Sequence, residues 1–317
     1  MTLNLPERVS IVEVGPRDGL QSLDRNYPVE TKVAMIETLA SAGFPTVEVT
    51  GFVRPDVIPQ LADGAEVFKH LNKLDGTVYR ALVPNAKGAE RAVAAGADEV
   101  LGLITASDTY NRKNSNMSVD ENLDQIAAIA EIARDAGKPI VVAIGVCMFC
   151  PYEGEVPESR PMEMIEQMRE SGIDSFYIAT STGLDGPAKV SRLSSMILDR
   201  WPETTLGLHM HNTNGMALAN ALAGMQSGVS FLEGSICGIG GGIRMPSGMA
   251  HFGNIATEDL VHLCAELGVD CGIELDTALE AARDVKELLE LETTFSSALQ
   301  GGTKAAVLGQ ARATGRD

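Results

Sequence analysis

Eight short β-rich runs alternate with helix-like amphipathic stretches along most of the chain, and this alternation constrains the fold more than any other feature. Helical patterns such as VETKVAMIETLASAG lie between the runs, and most end at a glycine, which commonly caps a helix C-terminus. Strands that alternate with helices form parallel sheets. The runs are VSIVEV (9–14), TVEVTGF (46–52), YRALVP (79–84), EVLGLIT (99–105), PIVVAIGV (139–146), SFYIAT (175–180), TLGLHMH (205–211) and FLEGSIC (231–237).

The number of these units favours a closed barrel, because eight parallel strands close a (β/α)8, or TIM, barrel. A doubly wound sheet is the alternative. That fold usually has a glycine-rich phosphate-binding turn after its first strand, and this chain has GPRDGLQ there. We therefore predict an α/β fold, a (β/α)8 TIM barrel with an additional C-terminal helical segment.

The C-terminal part extends beyond the predicted barrel. ATEDLVHLCAELG completes the eighth unit, whereas LDTALEAARDVKELLELE is an extra amphipathic stretch. The final GGTKAAVLGQARATGRD is small, polar and weakly periodic, which predicts a poorly ordered tail or a segment that folds over the barrel mouth. We therefore predict one barrel domain over residues 1–275, followed by an appended helix and a flexible tail over residues 276–317.

The composition limits the partners of the chain. It has 43 Asp and Glu against 25 Lys and Arg, a formal net charge of −18, which repels nucleic acid and anionic membranes. No apolar run approaches the ~20 residues of a membrane span. The odd number of cysteines, five, and the lack of a signal peptide favour a reducing, cytoplasmic location. We expect a cytoplasmic homo-oligomer that acts on a small molecule and binds neither nucleic acid nor membranes.

Polar side chains accumulate where the predicted strands end, and this end of a barrel carries its chemistry. Arg17 and Asp18 follow the first strand, His209 and His211 end the seventh, and Asn254 follows the eighth. Residues i and i+2 of a strand point to the same side, so the two imidazoles are presented together. Because the first, seventh and eighth strands are neighbours in a barrel, we predict that these groups converge. Nitrogen and oxygen ligands suit Mg²⁺, Mn²⁺, Co²⁺ or Zn²⁺ and leave positions open for a substrate.

Each of these groups also has a structural interpretation. An H-x-H pair in a strand is more often ordinary packing, and RDG is a common turn. Glu48, in the second strand, is equally sensible as a buried ion-pair partner of Arg17. The metal interpretation is favoured because independent polar groups fall at the same end of the first, second, seventh and eighth strands.

Five ordered motifs also carry a resemblance. They are VEVGPRDGLQ, VEVTGFV, CPYEGEV, LHMHNTNGMALANAL and GNIATEDLV. From about residue 8 to about residue 270 the chain resembles the hydroxymethylglutaryl-CoA lyase family of metal-dependent TIM barrels. The resemblance implies a divalent metal, with Mg²⁺ or Mn²⁺ favoured over Zn²⁺ or Co²⁺, and implies that Arg17 polarises the acyl carbonyl. The implied metal ligands are Asp18, His209, His211 and Asn254. The implied catalytic residues are Arg17, His209, Glu48 and Glu258, with Gln21 in contact with the substrate.

The chain departs from the family pattern where protons are transferred. The family's loop cysteine, in GGC after the eighth strand, supplies a proton, and Gly242 stands in its place. The aspartate and threonine that end the family's sixth strand are replaced by Thr180 and Ser181. We predict that the substrate also contacts Thr180, Ser181, Gly242, Arg244 and His251. His251, Arg244, a water molecule or a tail residue is the expected proton donor.

Together these features predict a divalent-metal-dependent carbon–carbon lyase. It would cleave a 3-hydroxy-acyl-CoA related to hydroxymethylglutaryl-CoA by retro-Claisen or retro-aldol chemistry, and release an enolate-derived acyl-CoA and a keto product. The alternatives are a Claisen-type synthase or a 2-oxo acid aldolase on the same metal barrel, and a metal-binding protein without catalysis. A biotin-dependent carboxyltransferase is disfavoured, because VVAIGV and FYIAT contain no lysine to serve as a modified metal ligand.

Overall fold

Eight parallel strands close a barrel in the computed structural model, which describes residues 3–241 and 253–314, with side chains up to residue 311. The predicted TIM barrel is confirmed. The first strand, Ser10–Glu13, pairs with both the second, Thr46–Gly51, and the eighth, Phe231–Gly234, which closes the sheet. The strands are β1 Ser10–Glu13, β2 Thr46–Gly51, β3 Val78–Val83, β4 Glu99–Thr105, β5 Ile140–Gly145, β6 Ser175–Thr180, β7 Thr205–Met210 and β8 Phe231–Gly234.

Helices cover the outside of the barrel and connect successive strands. Ser118 and Glu121 form a capping box at the start of the longest of the helices described. An antiparallel hairpin follows β5 and consists of two strands of two residues each, Phe149–Cys150 and Gly154–Glu155. The helices are α1 Val29–Ser41, α2 Gly64–His70, α3 Ala86–Ala95, α4 Asp108–Ser115, α5 Val119–Asp135, α6 Ser159–Glu170, α7 Pro187–Arg200, α8 Ala217–Gln226, α9 Thr257–Leu267, α10 Leu275–Leu288, α11 Ser297–Gly301 and α12 Lys304–Thr314.

Successive side chains along each strand point alternately outward and inward, so the barrel has two separate buried regions. Outward-facing residues such as Ile178 and Leu208 belong to the large apolar cluster that the strands share with the helices. Inward-facing residues such as Tyr177 and Phe231 form a second, smaller cluster in the lumen. Gly207 makes room for the latter, because a Cβ there would lie 2.2 Å from the Phe231 ring. The barrel therefore has an outer apolar layer and a separate lumen.

The C-terminal segment packs on the barrel helices. α10 contacts α1 and α9, and α11 contacts α9, where Asp259 accepts hydrogen bonds from Ser296 Oγ and the Ala298 N–H. α12 occupies most of the stretch for which the sequence predicted a weakly structured tail. The division of the chain at residue 275 stays a prediction. None of the helices in the described ranges is long and apolar enough to cross a membrane.

Candidate metal centre

The turn that follows β1 carries Arg17 and Asp18. It is a π-helical turn over Gly15–Gly19, in which the Asp18 N–H donates to the Val14 carbonyl at 2.7 Å. Arg17 Nη1 donates to Asp18 Oδ1 at 2.6 Å. Two adjacent side chains therefore meet on the same side of the turn, at the C-terminal end of the barrel.

His209 and His211 lie at the end of β7 with their rings together. Their Nε2 atoms are 3.2 Å apart. His209 Nδ1 lies 2.9 Å from Glu233 Oε2, and His211 hydrogen-bonds the backbone of Ser181. Because two Nε2 atoms that face each other cannot both carry a proton, at least one lone pair points at the space between them.

A short backbone pairing brings Asn254 to the histidines. His211 and Asn254 form an antiparallel bridge, and the Ile255 N–H donates to the Met210 carbonyl at 3.0 Å. Asn254 Nδ2 donates to Asp18 Oδ2 at 2.6 Å. Asn254 Oδ1 is buried and accepts no hydrogen bond from the described residues. A buried acceptor without a donor needs an explanation, and a cation beside it supplies one.

The four side chains fit a divalent cation. One ligand atom from each of Asp18, His209 and His211 lies within 4.8 Å of the other two. All three, and Asn254, are at most 6% exposed. A carboxylate, two imidazoles and an amide oxygen form a set that divalent cations favour. The structure thus brings together the four residues that the sequence suggested as ligands.

The loop after β8 passes close to these ligands at Gly240. Its φ is +120°, a backbone conformation that favours glycine. A Cβ on Gly240 would lie 2.2 Å from Asn254 Nδ2 and 3.3 Å from Asp18 Oδ2. A side chain here would displace Asn254 and press against Asp18, which are two of the four candidate ligands.

Arg17 lies beside the metal position in a buried ion pair. Its Nε donates to Glu48 Oε1, and its Nη1 to Asp18 Oδ1. Within the described residues its Nη2 makes no hydrogen bond to another side chain. Burial raises the pKa of Glu48, and the charge of Arg17 opposes that rise. The structure shows the ion pair that was the structural interpretation of Glu48.

Charges around the centre set the ionisation of its ligands. Burial opposes ionisation of Asp18, but Arg17 and the two histidines lower its pKa to about 2. Burial, reinforced by His209, lowers the pKa of His211 to about 4. Near pH 7, Asp18 is therefore an anion and His211 a neutral imidazole, which are the forms that bind a cation.

The structure also reveals a partner of His209 that the sequence analysis missed. Glu233, in β8, lies in the lumen and contacts both His209 and Arg80 of β3. Tyr177 stacks on His209, with ring centroids 5.6 Å apart. The signal was present in the sequence, since Arg80 and Glu233 are charged residues within strands that otherwise read as buried.

Two of the predicted substrate-binding residues belong to the centre. Gln21 Nε2 donates to Asp18 Oδ1 at 2.6 Å, so it orients a ligand. Ser181 contacts His211 through its backbone, and its hydroxyl accepts from the Val146 N–H at 2.8 Å. Gly242, Arg244 and His251 lie outside the described residues, and their predicted contacts stay predictions.

Thr180 and Glu258 do not join the residues around the metal position. Thr180 pairs in register with Met210, and strand alternation puts both on the helix-facing side of the sheet, opposite His209. Both Glu258 carboxylate oxygens lie 3.2 Å from the Cys237 backbone nitrogen, and burial raises the Glu258 pKa to about 8. The geometry does not support the predicted substrate contact of Thr180 or a direct catalytic role for Glu258.

A family model described as HMGL-like matches residues 8–285. The chain belongs to the HMGL-like family. It is 40% identical to a mitochondrial hydroxymethylglutaryl-CoA lyase of Bos taurus over 288 residues, which cover 91% of this chain and 88% of that protein. The family resemblance inferred from the five motifs is confirmed.

Solved structures of HMGL-like proteins share the fold. The HMG-CoA lyase of Bacillus subtilis superposes with a TM-score of 0.89 at 34% identity, covering 93% of this chain and 98% of that one. An HMG-CoA lyase of Acinetobacter baumannii, in complex with coenzyme A and 3-methylmalate, gives 0.88 at 34% identity, covering 94% and 96%. This HMGL-like chain is therefore a metal-dependent lyase.

Proposed function

We propose that the chain cleaves a carbon–carbon bond in a 3-hydroxy-acyl-CoA related to hydroxymethylglutaryl-CoA. The observation that carries the proposal is the buried cluster of Asp18, His209, His211 and Asn254, with Arg17 in contact with Asp18 beside it. Its relatives are named hydroxymethylglutaryl-CoA lyases, and a solved structure of one HMG-CoA lyase is a complex with coenzyme A and 3-methylmalate. These names support an acyl-CoA as the substrate class.

The reaction develops negative charge at two places, the substrate hydroxyl and the enolate oxygen. The substrate hydroxyl loses its proton, the C2–C3 bond breaks, and its electrons pass to the thioester as an enolate, which then takes up a proton. A divalent ion held by the four ligands would lower the pKa of the hydroxyl and orient it. Arg17, fixed by Glu48 and Asp18, would stabilise the negative charge that develops on the enolate oxygen.

The proton that the enolate needs must come from a different group than in the family pattern. Gly242 replaces the family's loop cysteine and has no side chain to donate one. Losing a general acid typically costs ~10² to 10⁴-fold in rate. We therefore propose that the physiological substrate is a relative of hydroxymethylglutaryl-CoA, bulkier or more polar at the tertiary carbon. The replacement of the family's cysteine by glycine at position 242 supports this choice. Thr180 does not contribute to it, because it faces the helices.

A release assay tests the proposal. The purified chain, with Mg²⁺ or Mn²⁺ added, is given hydroxymethylglutaryl-CoA and a panel of 3-hydroxy-acyl-CoAs with larger or more polar groups at C3. We expect cleavage to acyl-CoA and keto products, abolished by EDTA and restored by metal. Cleavage of none of the panel would overturn the lyase proposal. A kcat/KM of ~10⁴ M⁻¹s⁻¹ or more on hydroxymethylglutaryl-CoA itself would overturn the substrate choice.

The assembly and the compartment stay predictions. Relatives include lyases named mitochondrial and one from Danio rerio named cytoplasmic, so their names do not choose between the two. The predicted homo-oligomer is testable by light scattering on the purified chain.

A further inference from the structure

A continuous run of charged side chains crosses the barrel lumen below His209. Arg80 Nε donates to Glu99 Oε1 at 2.5 Å, and Arg80 Nη1 donates to Glu233 Oε1 at 2.6 Å. The other oxygen of Glu233, Oε2, lies 2.9 Å from His209 Nδ1. The run therefore links strands β4, β3, β8 and β7 in that order.

This run is costly to bury and needs a reason. Arg80 is 3% exposed and Glu233 is 1% exposed. Removing ions from water is expensive, and an apolar pair of similar volume is often at least as stable. The lumen of a TIM barrel is normally filled by branched apolar side chains. A charged pair in this position, in contact with a metal ligand, points to a role at the metal centre.

Glu233 determines which histidine nitrogen faces the centre. A carboxylate beside Nδ1 accepts its proton in a hydrogen bond, so the neutral ring keeps the Nδ1–H tautomer and Nε2 carries the lone pair. The rotamer of Glu233 must be fixed for this to hold. Arg80 supplies that constraint, and its guanidinium is itself placed by Glu99 and by Phe231, whose ring centroid lies 5.8 Å away.

We propose that Arg80 is a positioning residue for the metal centre. By holding Glu233 Oε1 it aims Oε2 at His209 Nδ1, and so presents His209 Nε2 to a divalent cation. Outer partners of this kind typically contribute 10- to 100-fold to metal affinity. The inference rests on the metal site of the proposed function, but it does not depend on the identity of the substrate.

Direct Mn²⁺ binding to the metal-free protein tests the proposal without substrate. Arg80→Met keeps an unbranched side chain that extends about as far as the arginine Nε, and removes the hydrogen bonds of the guanidinium. We expect it to weaken Mn²⁺ binding about 10- to 100-fold, measured by electron paramagnetic resonance or calorimetry. Arg80→Lys keeps the charge and one donor, and we expect it to recover part of the loss.

The direction of the change in Mn²⁺ affinity distinguishes a positioning role of Arg80 from a purely electrostatic one. If Arg80 acted only as a positive charge, its removal would reduce repulsion of the cation and tighten Mn²⁺ binding. Tighter or unchanged binding by Arg80→Met would therefore overturn the proposal. Nitrogen chemical shifts of His209 give a second readout, because we expect the Nδ1–H tautomer to lose its dominance in Arg80→Met and not in the parent.

A partly buried ion pair elsewhere provides the control, with the cation buried and the carboxylate 28% exposed. Lys32 is 4% exposed and its Nζ lies 2.6 Å from Asp63 Oδ1, outside the lumen. We expect Lys32→Met to lower stability and to leave the Mn²⁺ affinity unchanged. An equal loss of affinity in this variant would show a general effect of buried ion pairs and overturn the proposal.

Two further outcomes are distinguishable. If Arg80→Met does not fold, the double variant Arg80→Gln, Glu99→Gln, which removes one charge of each sign, carries the same expected loss of affinity. If the parent itself binds no Mn²⁺, the metal site of the proposed function fails. If the parent binds Mn²⁺ and the Arg80 variants bind it equally well, only the positioning role fails.

Discussion

The outer layer and the lumen of this barrel are built from the same strands and differ in chemistry. On the outward face, Ile104 and Ile178 pack with helix residues such as Ile126 in a large apolar cluster. On the inward face, Arg80 and Glu233 are charged, buried and paired. Apolar burial stabilises the fold, whereas buried ion pairs do so weakly. The comparison indicates that stability resides mainly in the outer layer and chemistry in the lumen.

The largest effect is expected from His209→Ala, which removes a lumen ligand. Alanine has no lone pair to donate, so we expect loss of bound metal and of activity together, while the barrel remains folded. Elemental analysis, an activity assay and circular dichroism measure the three quantities. A variant with full metal content would contradict the assignment of His209 as a ligand.

Met210 follows His209 in β7 but faces the helices, so its replacement should lower stability and leave metal binding unchanged. Met210 is fully buried in the outer layer. Met210→Ala leaves a cavity, and we expect the free energy of unfolding to fall by about 2–5 kcal/mol. The metal content at saturating Mn²⁺ should not change. A loss of metal without a loss of stability would break the division between the two buried regions.

A third substitution acts on the reaction, at a residue that also pairs with the buried Glu48. Arg17→Met keeps much of the side-chain bulk and removes the donors that we propose stabilise the enolate. We expect kcat to fall about 10²-fold or more with little change in KM, as for the loss of an oxyanion donor. A rise in KM at unchanged kcat would instead assign Arg17 to substrate binding.

The smallest effect concerns a carboxyl group in the helix-facing layer. Burial raises the pKa of Glu258 to about 8, above its value in the unfolded chain. Folding therefore favours the protonated form, so this contribution to stability is complete below about pH 4.5 and is lost as the pH rises through about 8. Glu258→Gln removes this titration.

Urea unfolding at pH 5 and pH 8 measures the effect. The parent should lose at least about 1 kcal/mol more than Glu258→Gln between the two pH values. Glu131→Gln, at an exposed position, is the control and should follow the parent. Parallel pH profiles for all three proteins would show that Glu258 does not titrate in this range.

The sequence predicted the features that depend on periodicity. The β/α alternation was sufficient for the barrel, and the i, i+2 rule was sufficient to place His209 beside His211. The predicted eighth strand extends to residue 237, whereas β8 ends at Gly234. The difference arises because a 3-10 turn at Ile236–Gly238 interrupts the run FLEGSIC.

Residues that depend on three-dimensional register were missed or misplaced. Thr180 was assigned to the substrate by its place in a motif, whereas its pairing with Met210 puts it on the opposite face. Arg80 and Glu233 are visible in the sequence as charged residues within apolar strands, but they lie 153 positions apart, and no local pattern shows that they pair with each other. Such contacts exist only once the strand register is known.

The hydrogen bond between Asn254 and Asp18 joins residues 236 positions apart. The site therefore does not exist on a growing or partly folded chain. Asp18 follows the first strand, and it meets Asn254 only after the last strand has closed the sheet. Closing so long a loop is slow, and contacts of this range form late in folding. A divalent cation binds the closed barrel selectively and stabilises it by mass action. The cell's supply of free metal would then help to determine how much of this chain is folded, and retention of metal would report that folding had been completed.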